Sequence, residues 1–193
     1  MTPSDVFELI HQGRISDAYE SARLLYASDK SPYASTAMYL AAIDKQQLLI
    51  DAGETAEADR IGRALLRLQS HISDHLLLGC WGEELAVRYL RKKGYDIVER
   101  DWHSNHRDID IIALLDDTLV FVEVKTRRNR DFSEPESAVN YQKQRNLLQS
   151  INHFLKTKSI DLPWRFDVIT IVGKLGSNTP EINHIEDFQL AYR

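Results

Sequence analysis

The chain is poor in features that mark exported, disulfide-bonded or membrane proteins. It has one cysteine, Cys80, which excludes an internal disulfide and a zinc site built from several thiolates. No apolar run approaches the roughly 20 residues that a bilayer-crossing helix needs, so we expect no membrane association. The N-terminus has no basic segment followed by an apolar core, so it carries no visible secretory signal. We therefore expect a cytoplasmic protein.

Positive charge is also in short supply. The 24 Lys and Arg residues are outnumbered by 29 Asp and Glu residues, and the formal net charge of −5 argues against a surface that is basic throughout. The basic residues of the second half do cluster, at 88–93 and at 125–130. Such clusters can bind a phosphate backbone in an acidic protein, although an ordinary solvated face gives the same pattern.

Residues 1–75 carry helical periodicity, and we predict that they form an all-helical domain. Ser31 followed by Pro32 is typical of a capped helix start. Segments 13–18 and 53–58 share a Gly-x-x-x-x-Ala spacing, and each is predicted to end one helix and begin the next. The resulting pair of hairpins resembles degenerate tetratricopeptide units. A plain helical bundle that docks on the second half or on a protein partner fits equally well.

From residue 76 the pattern changes, and residues 76–193 are predicted to form a second domain. A helix around residues 79–90, stopped by Gly94, comes first. Asp116-Asp117 predicts a hairpin turn, and the polar segment 126–137 predicts a loop. The remaining predicted elements are strands 97–102, 109–115, 118–125, 165–172 and 182–185 and a helix at 139–155. This order predicts an α/β fold built on a mixed sheet.

Charged residues on apolar strands are the strongest chemical signal. Alternation places Glu123 and Lys125 on one face of the 118–125 strand, and Asp110 interrupts the apolar strand before it. A strand that is buried on both faces accommodates ionised groups only when they are paired or bind a metal. The sequence therefore predicts that these three side chains form a polar site.

The preceding helix carries two adjacent glutamates. Glu83 lies on the apolar row that should face the sheet, either as a boundary residue or as a fourth member of the polar site. Glu84 lies in a row with Arg88 and Arg91, which predicts an exposed, salt-bridged position.

Five motifs in order carry a resemblance to a known family. The motifs are Gly79-x-x-Gly82-Glu83-x-x-Ala86, Gly94-Tyr95 and the segments 107–113, 120–127 and 165–168. Over residues 76–193 the chain is similar to the YraN-like family of predicted bacterial nucleases. That family belongs to the PD-(D/E)xK superfamily and is related to archaeal Holliday-junction resolvases.

The resemblance implies a restriction-endonuclease-like fold and an endonuclease that acts on DNA with Mg²⁺ or Mn²⁺. Asp110 and Glu123 would be the metal ligands, and Lys125 would orient water or stabilise charge on the phosphate. Glu83 would act as an outer ligand or through a water molecule, and Asp108 would support the site. Junction-cleaving relatives imply a homodimer, because two symmetric nicks need two sites.

The chain departs from the family pattern at Arg107 and Asp108, where the family usually has Gly and Glu. If the glycine admits the substrate backbone, Arg107 either blocks that approach or contacts a phosphate. This departure and the low basicity favour an alternative class, a nucleic-acid-binding or adaptor protein that keeps the nuclease scaffold without cleaving.

Basic residues beside the predicted site are candidates for holding nucleic acid. Arg127 and Arg128 follow the catalytic strand directly, and Lys143 lies early in the next helix. We predict phosphate contacts for all three. Two other features are given ordinary roles: the His103 and His106 pair is not expected to bind zinc, and Asp167 is expected to pair with Arg165 more often than to approach a metal.

Overall fold

The computed structural model describes residues 1–104, 107–129, 141–177 and 179–190. The fold is mixed α/β, with a bundle of helices followed by a five-stranded mixed sheet and one helix. This confirms the fold class predicted from the sequence. The chain divides into two compact units, Met1–Glu84 and Leu85–Arg193. Helix α5, Asp74–Lys92, contains residues of both units, and the division into domains at residue 75 stays a prediction.

Four helices lie wholly within the first unit: α1 Pro3–His11, α2 Ile15–Ser28, α3 Pro32–Asp51 and α4 Thr55–Gln69. Successive helices pack against each other as hairpins. The Ser31 hydroxyl accepts a hydrogen bond from the Ala34 backbone N–H at 3.2 Å, which confirms the predicted cap of α3. None of the helices in the described part of the chain combines the length and apolar content needed to cross a bilayer.

The repeated Gly-x-x-x-x-Ala spacing has a structural explanation. Gly13 and Gly53 follow the ends of α1 and α3 with φ angles of 72° and 77°, a conformation in which glycine is favoured. Ala18 and Ala58 lie four residues into α2 and α4 and are 0% and 2% exposed. Each copy therefore ends one helix and begins the next, as predicted, and it also places a small, buried residue in the second helix.

The second unit contains the strands and the last helix. Their bounds are β1 Asp96–Ser104, β2 Arg107–Leu115, β3 Thr118–Arg127, α6 Tyr141–Lys158, β4 Trp164–Val172 and β5 Glu181–Ile185. The sheet order is β1-β2-β3-β4-β5, and all neighbours are antiparallel except β3 and β4. A parallel pair needs a crossover connection, and α6 lies in that connection.

The predicted strands and turn correspond to observed ones, with small shifts at their ends. Asp116, at the turn between β2 and β3, has a φ angle of 50°, as a tight hairpin requires. Strand β3 extends to Arg127, so the first two residues of the predicted 126–137 loop belong to the strand. Residues 130–137 of that loop, and the predicted helix start at Val139, lie outside the described residues.

Aromatic side chains join the sheet to α6. The rings of Phe121 and Phe154 pack edge to face with centroids 5.8 Å apart, and Trp102 packs on Phe154 in the same way at 5.4 Å. Trp164 lies against Phe121 at 5.9 Å. Both tryptophans are therefore packing residues, and this core holds α6 beside β3.

The predicted exposure of Glu84 was wrong. Its side chain is buried, with 3% exposure, and accepts a hydrogen bond from the Ser4 hydroxyl at 3.3 Å. This contact comes from α1, which residue spacing within α5 cannot show. A carboxylate that is covered in this way needs such polar partners.

Candidate functional site

Asp110 is held where β2 and β3 stop pairing as a regular ladder. Their register runs from Leu115 opposite Thr118 to Ile111 opposite Val122. One residue further along, the Asp110 Oδ2 atom accepts a hydrogen bond from the backbone N–H of Val124 at 2.6 Å. A side-chain carboxylate thus takes the place of a backbone acceptor, and it lies against the residue that follows Glu123.

Glu123 is a buried carboxylate on the central part of the sheet. Its side chain is only 3% exposed, so an unpartnered charge there would be strongly unfavourable. The ammonium groups of Lys125 and Lys143 both contact the same oxygen, Oε1. The charge of Glu123 is therefore compensated by two lysines from two different elements.

Lys125 and Lys143 reach Glu123 in different ways. Lys125 lies two residues further along β3, so strand alternation puts both side chains on one face. Lys143 lies in the first turn of α6, and its side chain is 35% exposed. Burial acts to lower the Lys143 pKa, but the charge and hydrogen bond of Glu123, with smaller contributions from Lys125 and Asp110, raise the pKa above its ordinary value. The structure thus brings two carboxylates and two lysines together.

The Lys143 contact is the part of this cluster that sequence reasoning missed. Lys143 was predicted to bind nucleic acid, and nothing in the strand alternation links it to Glu123. The contact joins residues 20 positions apart and exists because α6 packs on the sheet, with Phe154 of α6 against Phe121 of β3. The only sequence signal is a lysine near the start of the helix that follows β3.

The other predicted residues lie at different depths. Asp108 is exposed on β2, opposite His103 on β1. Arg127 ends β3 and is half-buried, whereas Arg128 is exposed. Their predicted roles in support and in phosphate binding remain predictions. His106, the second member of the histidine pair, lies outside the described residues.

Glu83 has a partner within the first unit. Its carboxylate accepts a hydrogen bond from the hydroxyl of Tyr33 in α3, and the glutamate is partly exposed. The glutamate on the apolar row of α5 therefore has a polar partner in α3. The participation of Glu83 in the polar site stays a prediction.

Asp167 belongs to a separate polar cluster. Its side chain is 0% exposed, and it accepts hydrogen bonds from Arg165 Nε at 3.1 Å and from the Asp187 backbone N–H at 2.9 Å. His184 Nε2 lies 2.9 Å from the second oxygen. Asp167 stands opposite Val122 in the register, so its side chain points to the other sheet face from Glu123. The expected Arg165 pairing is confirmed.

The Asp110 and Glu123 pair fits a hard divalent cation. Mg²⁺ is commonly held by one or two protein carboxylates, with water and phosphate oxygens completing its shell. Within the described ranges, no three His, Cys, Asp or Glu side chains form a metal-binding group. Any cation here would accordingly take two carboxylates from the described residues, and both lie on elements whose positions the sheet determines.

The model of uncharacterised protein family UPF0102 matches residues 82–171, a span that includes all four clustered residues. A UPF0102 protein of Phocaeicola vulgatus is 44% identical over 117 residues, covering 60% of this chain and 94% of the relative. For UPF0102 proteins of Syntrophomonas wolfei and Alkaliphilus oremlandii, identities are 47% and 43%. These matches cover 56% and 57% of this chain, and 93% and 95% of the relatives.

These matches leave most of the helical first unit outside the family region. The resemblance noted in the sequence is confirmed at the level of this family, whose description names no activity. The chain therefore belongs to uncharacterised protein family UPF0102.

Proposed function

We propose that the second unit is a Mg²⁺- or Mn²⁺-dependent endonuclease that hydrolyses phosphodiester bonds in DNA. The observation that carries this proposal is the placement of Asp110 beside Glu123, with the ammonium group of Lys125 on the buried glutamate. Carboxylates for a cation and a lysine for phosphate or water are the groups that such hydrolysis needs.

Asp110 and Glu123 are the residues that would hold the cation. When bound, the cation supplies positive charge that polarises the scissile phosphate and makes nearby water more acidic. Lys125 then has two tasks: it orients the attacking water, and it donates hydrogen bonds to phosphate oxygens as their negative charge grows. The reaction adds water across one P–O bond, and the departing alkoxide oxygen takes up a proton.

Residues around this centre would hold the substrate. Arg127 is the last residue of β3 and Arg128 follows it, two and three residues after Lys125. Their guanidinium groups can donate paired hydrogen bonds to phosphate oxygens. Glu83 and Asp108 are proposed as outer supports of the cation site. DNA as the substrate rests on the family resemblance, since no base-reading motif is visible in the sequence.

A second candidate is a nucleic-acid-binding or adaptor protein without cleavage. The observation in its favour is that Lys125 and Lys143 already compensate the buried charge of Glu123. A buried carboxylate with such partners is satisfied without a cation. In this case the first unit would dock a protein partner.

Metal titration separates the two candidates. We expect calorimetric binding of Mg²⁺ and Mn²⁺ to the full chain, and its loss in Asp110→Asn because one charged ligand is removed. Asp116→Asn is the matched control, since it removes a carboxylate from the exposed turn of the same hairpin. The absence of a heat signal in the wild-type chain, or a signal unchanged in Asp110→Asn, would favour the adaptor.

A cleavage panel tests the reaction itself. Four-way junctions, flaps, duplexes, single-stranded DNA and RNA would be incubated with Mg²⁺ and with Mn²⁺. We expect cleavage of at least one DNA substrate, and its loss in Glu123→Gln. Cleavage that persists in Glu123→Gln would contradict the proposed site and indicate a contaminating nuclease.

A further inference from the structure

Two ammonium groups contact one oxygen, Oε1 of Glu123, in the site proposed to hold a cation. These groups belong to Lys125 and Lys143, and the neighbouring Asp110 carboxylate accepts a hydrogen bond from the backbone N–H of Val124, the residue after Glu123. Two positive and two negative side chains make the cluster formally neutral. A divalent cation added to it would leave an excess of positive charge, so one ammonium group should withdraw.

The two lysines differ in their freedom to withdraw. Lys125 shares its strand and its face with Glu123, and residues two apart on a strand are separated by only about 6.6 Å along the backbone. Lys143 comes from another element, the first turn of α6, and is joined to Glu123 only through its long side chain. Rotation about its side-chain bonds can move the ammonium group away while the helix stays in place.

We propose that, in the unloaded protein, the Lys143 ammonium group competes with the cation for Glu123, and that it exchanges Glu123 for a phosphate of the substrate when the cation binds. This inference rests on the proposed function, since it assigns a regulatory role within the same site. Lys143 then links two events: loading of the cation releases its ammonium group, and the released group strengthens binding of the nucleic acid.

The link is reciprocal. If cation binding strengthens DNA binding through Lys143, DNA must strengthen cation binding by the same factor. The protein would hold divalent cations weakly when it is free and more tightly on its substrate. Cation loading in the absence of substrate is limited in this way by a residue of the chain itself.

The first test measures cation affinity without any reaction. Lys143→Met keeps the length of the side chain and removes its charge, and we expect Mn²⁺ to bind about three- to fivefold more tightly, the effect of removing one half-exposed competing ion pair. Lys143→Arg keeps the charge and should keep the wild-type affinity within a factor of two. Lys156→Met is the matched control on the exposed side of α6.

The second test measures the link to nucleic acid. Fluorescence anisotropy of a labelled DNA duplex would be recorded with and without Ca²⁺, a cation used here to allow binding without turnover. We expect Ca²⁺ to tighten DNA binding by wild-type protein and by Lys156→Met. In Lys143→Met, the factor by which Ca²⁺ tightens DNA binding should be at least threefold smaller.

The outcomes separate this inference from the proposed function. If wild-type protein binds Mn²⁺ but Lys143→Met binds it equally or more weakly, the exchange is refuted and the metal site stands. If Ca²⁺ strengthens DNA binding equally in Lys143→Met and in the wild type, the released lysine does not reach phosphate, and the inference is again wrong. If wild-type protein binds neither Mn²⁺ nor Ca²⁺, both the inference and the proposed function are wrong.

Discussion

The carboxylate of Asp110 in β2 accepts a hydrogen bond from the backbone N–H of Val124 in β3 at 2.6 Å. The regular pairing of the two strands ends at Ile111 and Val122, just before this contact. The contact makes Asp110 part of the sheet's hydrogen bonding as well as a candidate metal ligand. Because Val124 follows Glu123 directly, the same bond places the two acidic residues side by side. The effect of an Asp110 substitution on stability should therefore depend on whether the new side chain accepts this hydrogen bond, whereas its effect on metal binding should depend on the loss of charge.

The first prediction separates these two roles. Asp110→Ala leaves the buried Val124 N–H without this acceptor, and we expect the free energy of unfolding to fall by about 1–3 kcal/mol. Asp110→Asn keeps a side-chain carbonyl that can accept the bond, so most of that stability should remain. Both variants should lose cation binding. Urea denaturation and calorimetry measure the two effects, and equal stability of the two variants would contradict the structural role.

The second prediction concerns how the protein holds DNA. Arg127 ends β3, where its backbone carbonyl accepts the Gly173 N–H at 2.8 Å, so the strand end that carries it is anchored. In Arg127→Ala/Arg128→Ala we expect DNA binding to weaken alike for all sequences. The slope of log K against log salt should fall by up to about 1.8, since each neutralised phosphate contributes about 0.9. Cation affinity should not change.

Binding titrations at several salt concentrations measure that slope. Arg63→Ala/Arg67→Ala is the matched control, because it removes two exposed arginines from α4 of the first unit. An unchanged slope in Arg127→Ala/Arg128→Ala would mean that the arginines pair within the protein. Candidate partners are the acidic residues of the following segment, which lie outside the described residues: Asp131, Glu134 and Glu136. The nucleic-acid surface would then involve Lys92, Lys93 and Lys143.

The third prediction concerns acid stability and the buried Asp167. Burial acts to raise the pKa of this carboxyl, but hydrogen bonds from His184, the Asp187 amide and Arg165 outweigh it and hold the pKa below its ordinary value. The unfolded chain therefore binds a proton at higher pH than the folded one. This carboxylate's contribution to stability is present above the unfolded pKa of about 3.9 and is lost as the pH falls through the folded pKa.

Chemical denaturation between neutral and acidic pH tests this sign. We expect Asp167→Asn to be less stable than wild type at pH 7 and to lose less additional stability on acidification. Glu186→Gln is a useful comparison, because the pKa of that carboxyl is also lowered, mainly by its hydrogen bond with Lys93. Its side chain is 46% exposed, so its effect should be smaller. If Glu186→Gln loses less additional stability on acidification than Asp167→Asn does, Asp167 is not the dominant group.

The fourth prediction concerns the contact between Tyr33 and Glu83. Tyr33→Phe removes the hydroxyl donor, and we expect a loss of about 1 kcal/mol in the free energy of unfolding. Tyr39→Phe in the same helix is the control, since that ring packs against the apolar core of the first unit. A double-mutant cycle with Glu83→Gln gives the coupling energy between the two side chains.

The same variants bear on the role of Glu83. If Glu83 supports the cation site, Glu83→Gln should weaken Mn²⁺ binding beyond any change seen in Tyr33→Phe. If the glutamate only receives the Tyr33 hydrogen bond, calorimetry should give the same Mn²⁺ affinity for both variants and for wild type. The second result would remove Glu83 from the proposed site.

Local features of the sequence determined much of the fold. Asp116-Asp117 between two β-rich runs predicted the hairpin, and Gly13 and Gly53 predicted the ends of two helices, because a turn depends on the conformations open to a few adjacent residues. The strand ends were less predictable. Whether β3 stops at Lys125 or continues to Arg127 depends on its pairing with β4, which the sequence of β3 does not contain.

Within the candidate site, the sequence by itself determined that Glu123 and Lys125 share a face, because alternation along a strand has a period of two residues. Tertiary structure decided the contacts of Glu123 with Lys143, of Glu83 with Tyr33 and of Glu84 with Ser4, which join residues 20, 50 and 80 positions apart. Such contacts depend on how separate elements pack. The hydrophobic cores that set this packing are assembled from residues far apart in the chain, so periodicity within one segment carries no information about them.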